Sequence, residues 1–151
     1  NLLFAIGRNE VLMEKATRAA KWLERMKDLK RSGKLTNVWP NLYSYNLVLN
    51  SCSTLRKDAP DEEKAEALKI AIATFGEIRR AYRRADSATY GMLLTICQKL
   101  VPDGDAMKRD TIRDVFQKCC QDGMLNRGVV HVLKGACGED ENGKLFFRDL
   151  L

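Results

Sequence analysis

The sequence holds one histidine, three prolines and no apolar run longer than a few residues. Each scarcity excludes something. Without a long apolar stretch, no segment reads as a membrane span, so a membrane partner is not expected. With so little proline and ten glycines in 151 residues, the chain is not low-complexity or collagenous. No secretory signal pattern is present, and the first residue is Asn1 rather than Met, so the chain reads as a piece of a longer protein.

Chemistry-bearing residues are equally sparse. There is no CxxC pair, and His131 stands alone. Structural zinc needs convergent thiolates and imidazoles in close-spaced sets, so no metal site is expected. Of the five cysteines, Cys52, Cys97, Cys119, Cys120 and Cys137, only two are neighbours, and the odd number points to a reducing compartment. There is no phosphate-binding glycine loop and no Ser/His/Asp set, and His131 has no orienting partner that would make it a general base. Asp61, Glu62 and Glu63 follow Pro60 and fit the positive end of a helix better than acid–base chemistry. The chain is therefore not expected to be an enzyme, to bind a cofactor or to act on a small-molecule substrate.

What is present is helical periodicity. Apolar residues recur at three-to-four spacing over Val11 to Arg31 (Ala16, Ala19, Ala20, Leu23, Met26), with Gly33 as the stop. A loop over 34–41 follows, and Pro40 bars helix there. The pattern predicts further helices over Tyr43–Leu55 (Tyr45, Val48, Leu49, Cys52) and from Pro60 to Arg84 (Ala65, Leu68, Ile72, Phe75, Ile78, Tyr82). Gly76 inside the latter costs about 1 kcal/mol relative to Ala, which close packing of a neighbouring helix would explain. Asp86 or Ser87 caps the next helix (Tyr90, Leu93, Leu94, Cys97), which stops at Val101–Gly104. Another runs from Ala106 to Gln121 (Ile112, Val115, Phe116, Cys119) and ends at Gly123, and one more covers Gly128–Cys137. The tail after Gly138 reads as a short capping helix or part of a truncated unit. The fold class is all-α.

One phrase is written three times: SYNLVLNSC from Ser44, TYGMLLTIC from Thr89 and VVHVLKGAC from Val129, spaced 45 and then 40 residues apart. Each opens a short helix that precedes a longer amphipathic one. A helix–turn–helix unit cannot bury its apolar face alone, so repeated units stack into a solenoid. Cys52, Cys97 and Cys137 then share one position, where a small apolar side chain lets helices approach. Tyr45 and Tyr90 read as core.

The stretch Pro40-Asn41-Leu42-Tyr43-Ser44-Tyr45-Asn46 resembles the opening phrase of the pentatricopeptide repeat family, P-D-x-x-T-Y-N. The second copy, Ala85 to Gly91, is degenerate, and the third, Leu125 to His131, more so. Lys15 to Gly33 looks like the second helix of a preceding unit. The steps are longer than the family's unit, which places the extra residues at 56–63 and 101–106 and in lengthened second helices. Tetratricopeptide relatives share the shape, but their W-x2-L-G-x2-Y pattern is absent. The resemblance covers the chain to about Cys137 and implies one right-handed solenoid over 1–151: a partial unit 1–41, units 42–86 and 87–126, and a partial unit 127–151.

The resemblance further implies single-stranded RNA binding in a mitochondrion or plastid, one base per unit. Transferred by position, the base-reading residues are Asn46 with Asp86, Gly91 with Asn126, and His131 without a partner. The first pair is the one the family associates with uracil. Tyr43, Ala88 and Gly128 occupy the position that packs on bases, and only Tyr43 offers a ring. Gly91 has no side chain with which to read anything. Lys99, at the end of a first helix, is the phosphate candidate. Arg79, Arg80, Arg83 and Arg84, and Lys27, Lys30, Arg31 and Lys34, end two second helices, where a solvated face is the simpler reading. The net charge of +6 fits an anionic partner. The alternative function is a protein-interaction scaffold of the same shape, with a protein partner instead of RNA.

Overall fold

A computed structural model of the chain describes the backbone of residues 2–34, 37, 39–104 and 106–151, and side chains from Lys15 onward. Part of the expected 34–41 loop, and Asp105, lie outside these residues. The described residues form seven α-helices and no strand: α1 Leu2–Arg31, α2 Leu42–Ser53, α3 Asp61–Tyr82, α4 Ser87–Leu100, α5 Ala106–Gln121, α6 Arg127–Cys137 and α7 Glu141–Leu150.

Local chemistry sets the helix ends. Asn41 caps α2: its side chain accepts from the Ser44 amide at 2.9 Å, while Ser44 Oγ accepts from the Asn41 amide at 3.3 Å. Asp86, Asn126 and Asp140 cap α4, α6 and α7 by accepting from the amides of Thr89, Val129 and Gly143. Three acids sit in the first turn of α3, directly after Pro60. That helix ends on Arg83 in the left-handed region, φ 62°. Gly123, φ 69°, closes α5, with the Met124 amide donating back to the Cys119 carbonyl at 3.0 Å.

Helices α2, α4 and α6 pack against one another in succession, and each also packs against the helix that follows it. Helix α1 lies against α2 and α3. The core runs through these contacts: Val48, Leu49 and Cys52 on α2, Leu94, Ile96 and Cys97 on α4, and Leu133 and Ala136 on α6. Tyr45 and Tyr90 are both buried. Helix α7 closes the row, with Phe146 buried beneath Arg109 and Arg113, whose guanidinium carbons lie 5.4 and 5.5 Å from the ring centre. A Cβ on Gly143 would collide with the Gly138 and Cys137 carbonyls, so only glycine allows α7 to fold back this tightly.

The expected face of α3 needs correction. Its buried stripe is Ala67, Ala71, Thr74 and Ile78. Leu68 and Phe75 are half-buried, whereas Ala65 and Tyr82 are exposed and Ile72 is 62% exposed. The reason lies in the neighbours: α3 touches α1, α2 and α4. A helix wedged among three others packs largely through small residues, with Ile78 the one bulky side chain fully buried and the other bulky ones flanking the contact. Gly76 also differs from expectation. A Cβ there would meet only the Arg80 guanidinium, at 3.5 Å, so no neighbouring helix demands glycine.

The connections that follow α2 and α4 touch. Lys57 and Asp103 pair at 3.2 Å, and the buried Lys108 ammonium reaches Asp103 at 2.6 Å and the Gln98 carbonyl at 3.1 Å.

Candidate functional site

A groove of about 370 Å³ lies between α2 and α4, lined by Leu42, Tyr43, Asn46, Asp86, Ala88 and Met92 among others. The Asn41 cap fixes the start of α2 and so sets Tyr43 and Asn46 one turn apart on a shared face. Tyr43 is 70% exposed, its ring open for stacking. The Asp86 cap places that carboxylate at the head of α4, across from Asn46.

Asn46 and Asp86, forty residues apart in sequence, meet here. Asn46 Nδ2 donates to the Asp86 carboxylate at 3.3 and 3.4 Å. Thr89 completes the cluster. Its Oγ1 lies 2.7 Å from Asn46 Oδ1 and 2.7 Å from Asp86 Oδ1, and its amide donates to Asp86 at 2.8 Å. Burial pushes the Asp86 carboxyl up, but the hydrogen bonds from Thr89 and Asn46 outweigh it and hold the group below the usual carboxylate range. Asp86 is therefore anionic at neutral pH.

The other expected pairs do not reproduce this cluster. Gly91 brings no side chain, and a Cβ there would meet open space. Asn126 is exposed, and its side-chain oxygen caps α6 by accepting from the Val129 amide at 2.9 Å. His131 is exposed on α6. Lys99 is engaged within the fold. Its ammonium donates to the Ser53 carbonyl at 2.9 Å, a cation at the negative end of α2.

The basic clusters are partly committed within the fold. Arg79 binds Asp122 at 2.6 Å and the Tyr90 hydroxyl at 3.2 Å. Lys27 binds Glu24 at 2.6 Å and also Glu77. Lys30 sits 4.1 Å over the Trp39 ring, and Arg31 pairs with Asp28 at 3.2 Å. The groove residues themselves include no lysine or arginine among the described residues.

Sequence reasoning passed over two features. Thr89 was visible as the Thr of the repeated phrase but had no assigned role. The Tyr90–Asp122–Arg79 cluster had no local signal at all, because its members come from three helical segments.

Larger hollows lie elsewhere. One of about 680 Å³ between α1 and α3 is largely apolar, with Trp22, Leu23, Ile70 and Ala73 in its wall. Another, of about 820 Å³, sits by the α4–α5 and α6–α7 turns and mixes Lys57, Lys108 and Arg109 with Asp103 and Asp140. The smaller groove is the candidate because it gathers Tyr43, Asn46 and Asp86. Among the described residues no cluster of three or more His, Cys, Asp or Glu side chains is arranged to hold a metal ion. Among the described residues no helix is long and apolar enough to cross a membrane. Set against known proteins, the chain matches no family model, no curated protein and no solved structure.

Proposed function

We propose that the chain is a single-stranded-RNA-binding array of pentatricopeptide type, a right-handed solenoid serving RNA processing or expression in a mitochondrion or plastid. Units 42–86 and 87–126 stand between the partial units 1–41 and 127–151. The successive packing of α2, α4 and α6 favours the solenoid. No catalysis is assigned to it.

The observation that supports the reading is the Asn46–Asp86 contact beside an exposed tyrosine. Two residues paired by the family resemblance lie within hydrogen-bond distance, in a groove that Tyr43 flanks. An amide addresses a base edge, and the ring stacks on the base, worth about 1–3 kcal/mol. Only this pair carries reading side chains on both members, so the fragment engages few nucleotides and binds weakly.

Titration with fluorescent uridine-rich and adenosine-rich single-stranded RNA and with duplex DNA, at two salt concentrations, tests the reading. Preference for uridine-rich RNA, lost in Asn46→Ala while residual affinity persists, supports it. Equal binding of all three, abolished by 200 mM salt, or no binding, overturns it. The scaffold reading then takes its place. It is favoured by the apolar Leu42, Leu47 and Met92 lining the same groove.

A further inference from the structure

The Asn46 amide is held by two residues from beyond the end of α3, Asp86 and Thr89. Thr89 Oγ1 stands 2.7 Å from two oxygens, Asn46 Oδ1 and Asp86 Oδ1. Both are acceptors, and a hydroxyl has one proton to give. Were the amide turned over, its oxygen would face the Asp86 carboxylate, lone pair against anion. The nitrogen therefore faces Asp86 and the oxygen faces Thr89, whose one hydroxyl proton is shared between Asn46 Oδ1 and Asp86 Oδ1 as a three-centre bond. Asp86 Oδ1 is also served by the Thr89 amide, at 2.8 Å.

The two anchors differ in strength. A separation of 2.7 Å is the usual value for O–H···O, whereas the 3.3 and 3.4 Å from Asn46 Nδ2 to Asp86 are long for N–H···O. Thr89 is also fully buried, at 0% exposure, so water does not compete for its proton. Its hydroxyl is the firmer restraint.

We propose that Thr89 is a specificity-determining positioning residue of the groove: its hydroxyl fixes the Asn46 amide so that the second Nδ2–H is left for the ligand. The inference rests on the RNA-binding reading and refines it. A fixed donor selects a base that offers an oxo group, and it discriminates against one that offers an amino group at the same place. Uracil and cytosine differ in that way at one ring position.

The test uses the full chain, oligo(U) and oligo(C) RNA of equal length, and the variants Thr89→Val and Thr89→Ser, with circular dichroism and thermal melting on each. One hydrogen bond gives about a 2- to 10-fold preference for oligo(U) in the parent chain. Thr89→Val brings the ratio near one at unchanged helix content, and Thr89→Ser restores it. NMR supplies a second readout. The Asn46 side-chain amide signals, assigned by their loss in Asn46→Ala, shift in Thr89→Val. In the unaltered chain the Thr89 hydroxyl proton exchanges slowly enough to be seen, which covers the case of a Thr89→Val chain that does not fold.

A preference that survives Thr89→Val, or a hydroxyl proton lost to fast exchange, overturns the positioning role while leaving RNA binding standing. Failure of both oligonucleotides to bind overturns the RNA reading and the specificity claim with it, whatever the amide signals show.

Discussion

Arg79 Nη1 lies 2.6 Å from Asp122 Oδ2, although 43 residues separate them. The same carboxylate oxygen receives the Tyr90 hydroxyl and the Ala85 amide, so one nearly buried acid, its side chain 8% exposed, ties α3, α4 and the end of α5 together. Removing it leaves the Arg79 cation, the Tyr90 hydroxyl and the Ala85 amide without their acceptor. Asp122→Ala is expected to cost about 3 kcal/mol, at the low end for a broken buried pair because Arg79 keeps some access to water. Tyr90→Phe, which removes the hydroxyl's hydrogen bonds with both Asp122 and Arg79, costs about 1.5–3 kcal/mol. Urea melts of both single variants and the double variant check this, and energies that simply add would show that the two groups act independently.

The same cluster sets an acid limit. Burial pushes the Asp122 carboxyl up, but hydrogen bonds from Tyr90, Ala85 and Arg79 together carry it below the ordinary value of 3.8. A carboxylate depressed in the folded state contributes its full stability above the unfolded value and loses it as pH falls through the folded one. Stability should therefore be flat in this respect near neutrality and decline below about pH 4. In Asp122→Asn, thermal melting from pH 7 down to pH 2 should show a shallower acid decline than in the parent chain.

Helix α3 makes a prediction about faces. Ile72→Lys touches an exposed position and should shift stability by no more than about 0.5 kcal/mol. Ala71→Leu, one residue earlier, forces a larger side chain among α3 and its neighbours and should cost about 1–3 kcal/mol. Equal losses in denaturant melts would mean that the buried stripe is misplaced.

Thiol chemistry separates the five cysteines. Burial pushes Cys52 up to about 12, and Cys97, Cys119 and Cys137 up to about 11, so all four stay protonated at pH 8. Cys120 is exposed. Ellman's reagent should label one thiol quickly in the native chain and the rest only on unfolding, and Cys120→Ser should remove the fast phase.

The helices were legible because their punctuation is local. Asp86 and Gly123 each act within a few residues of their own position. The stripes of α2, α4 and α5 followed from spacing for the same reason: Tyr45, Val48, Leu49 and Cys52 are all buried, as are Tyr90, Leu93, Leu94 and Cys97, and Ile112, Val115, Phe116 and Cys119. Helix α3 was read on a partly wrong face: Ile78 is buried as expected, but Ile72 and Tyr82 are exposed and Ala67, Ala71 and Thr74, which hydrophobic spacing passed over, make the contact. Of the groove, the family resemblance named Asn46 and Asp86 together by position, and the two lie within hydrogen-bond distance. Thr89 was not given its place, since a buried threonine in a helix looks like filler until its hydroxyl is seen between two acceptors. Lys27 lies 5.6 Å from the Tyr45 ring centre and pairs with Glu77, and Arg79 reaches the Tyr90 hydroxyl and Asp122.

The Asn46 cluster straddles the joint between two helix pairs. Its amide sits on α2, while both of its partners belong to residues 86–89, after α3 has ended. The segment that folds as one hairpin and the segment that completes the polar cluster are thus out of phase. A protein engineer who lifts out 42–85 as a cassette would leave half the cluster behind, and whatever sequence is spliced on next would rewrite how Asn46 points. Exchangeable blocks in this chain need their seams inside the pairs, in the 54–60 and 101–105 connections, rather than between them.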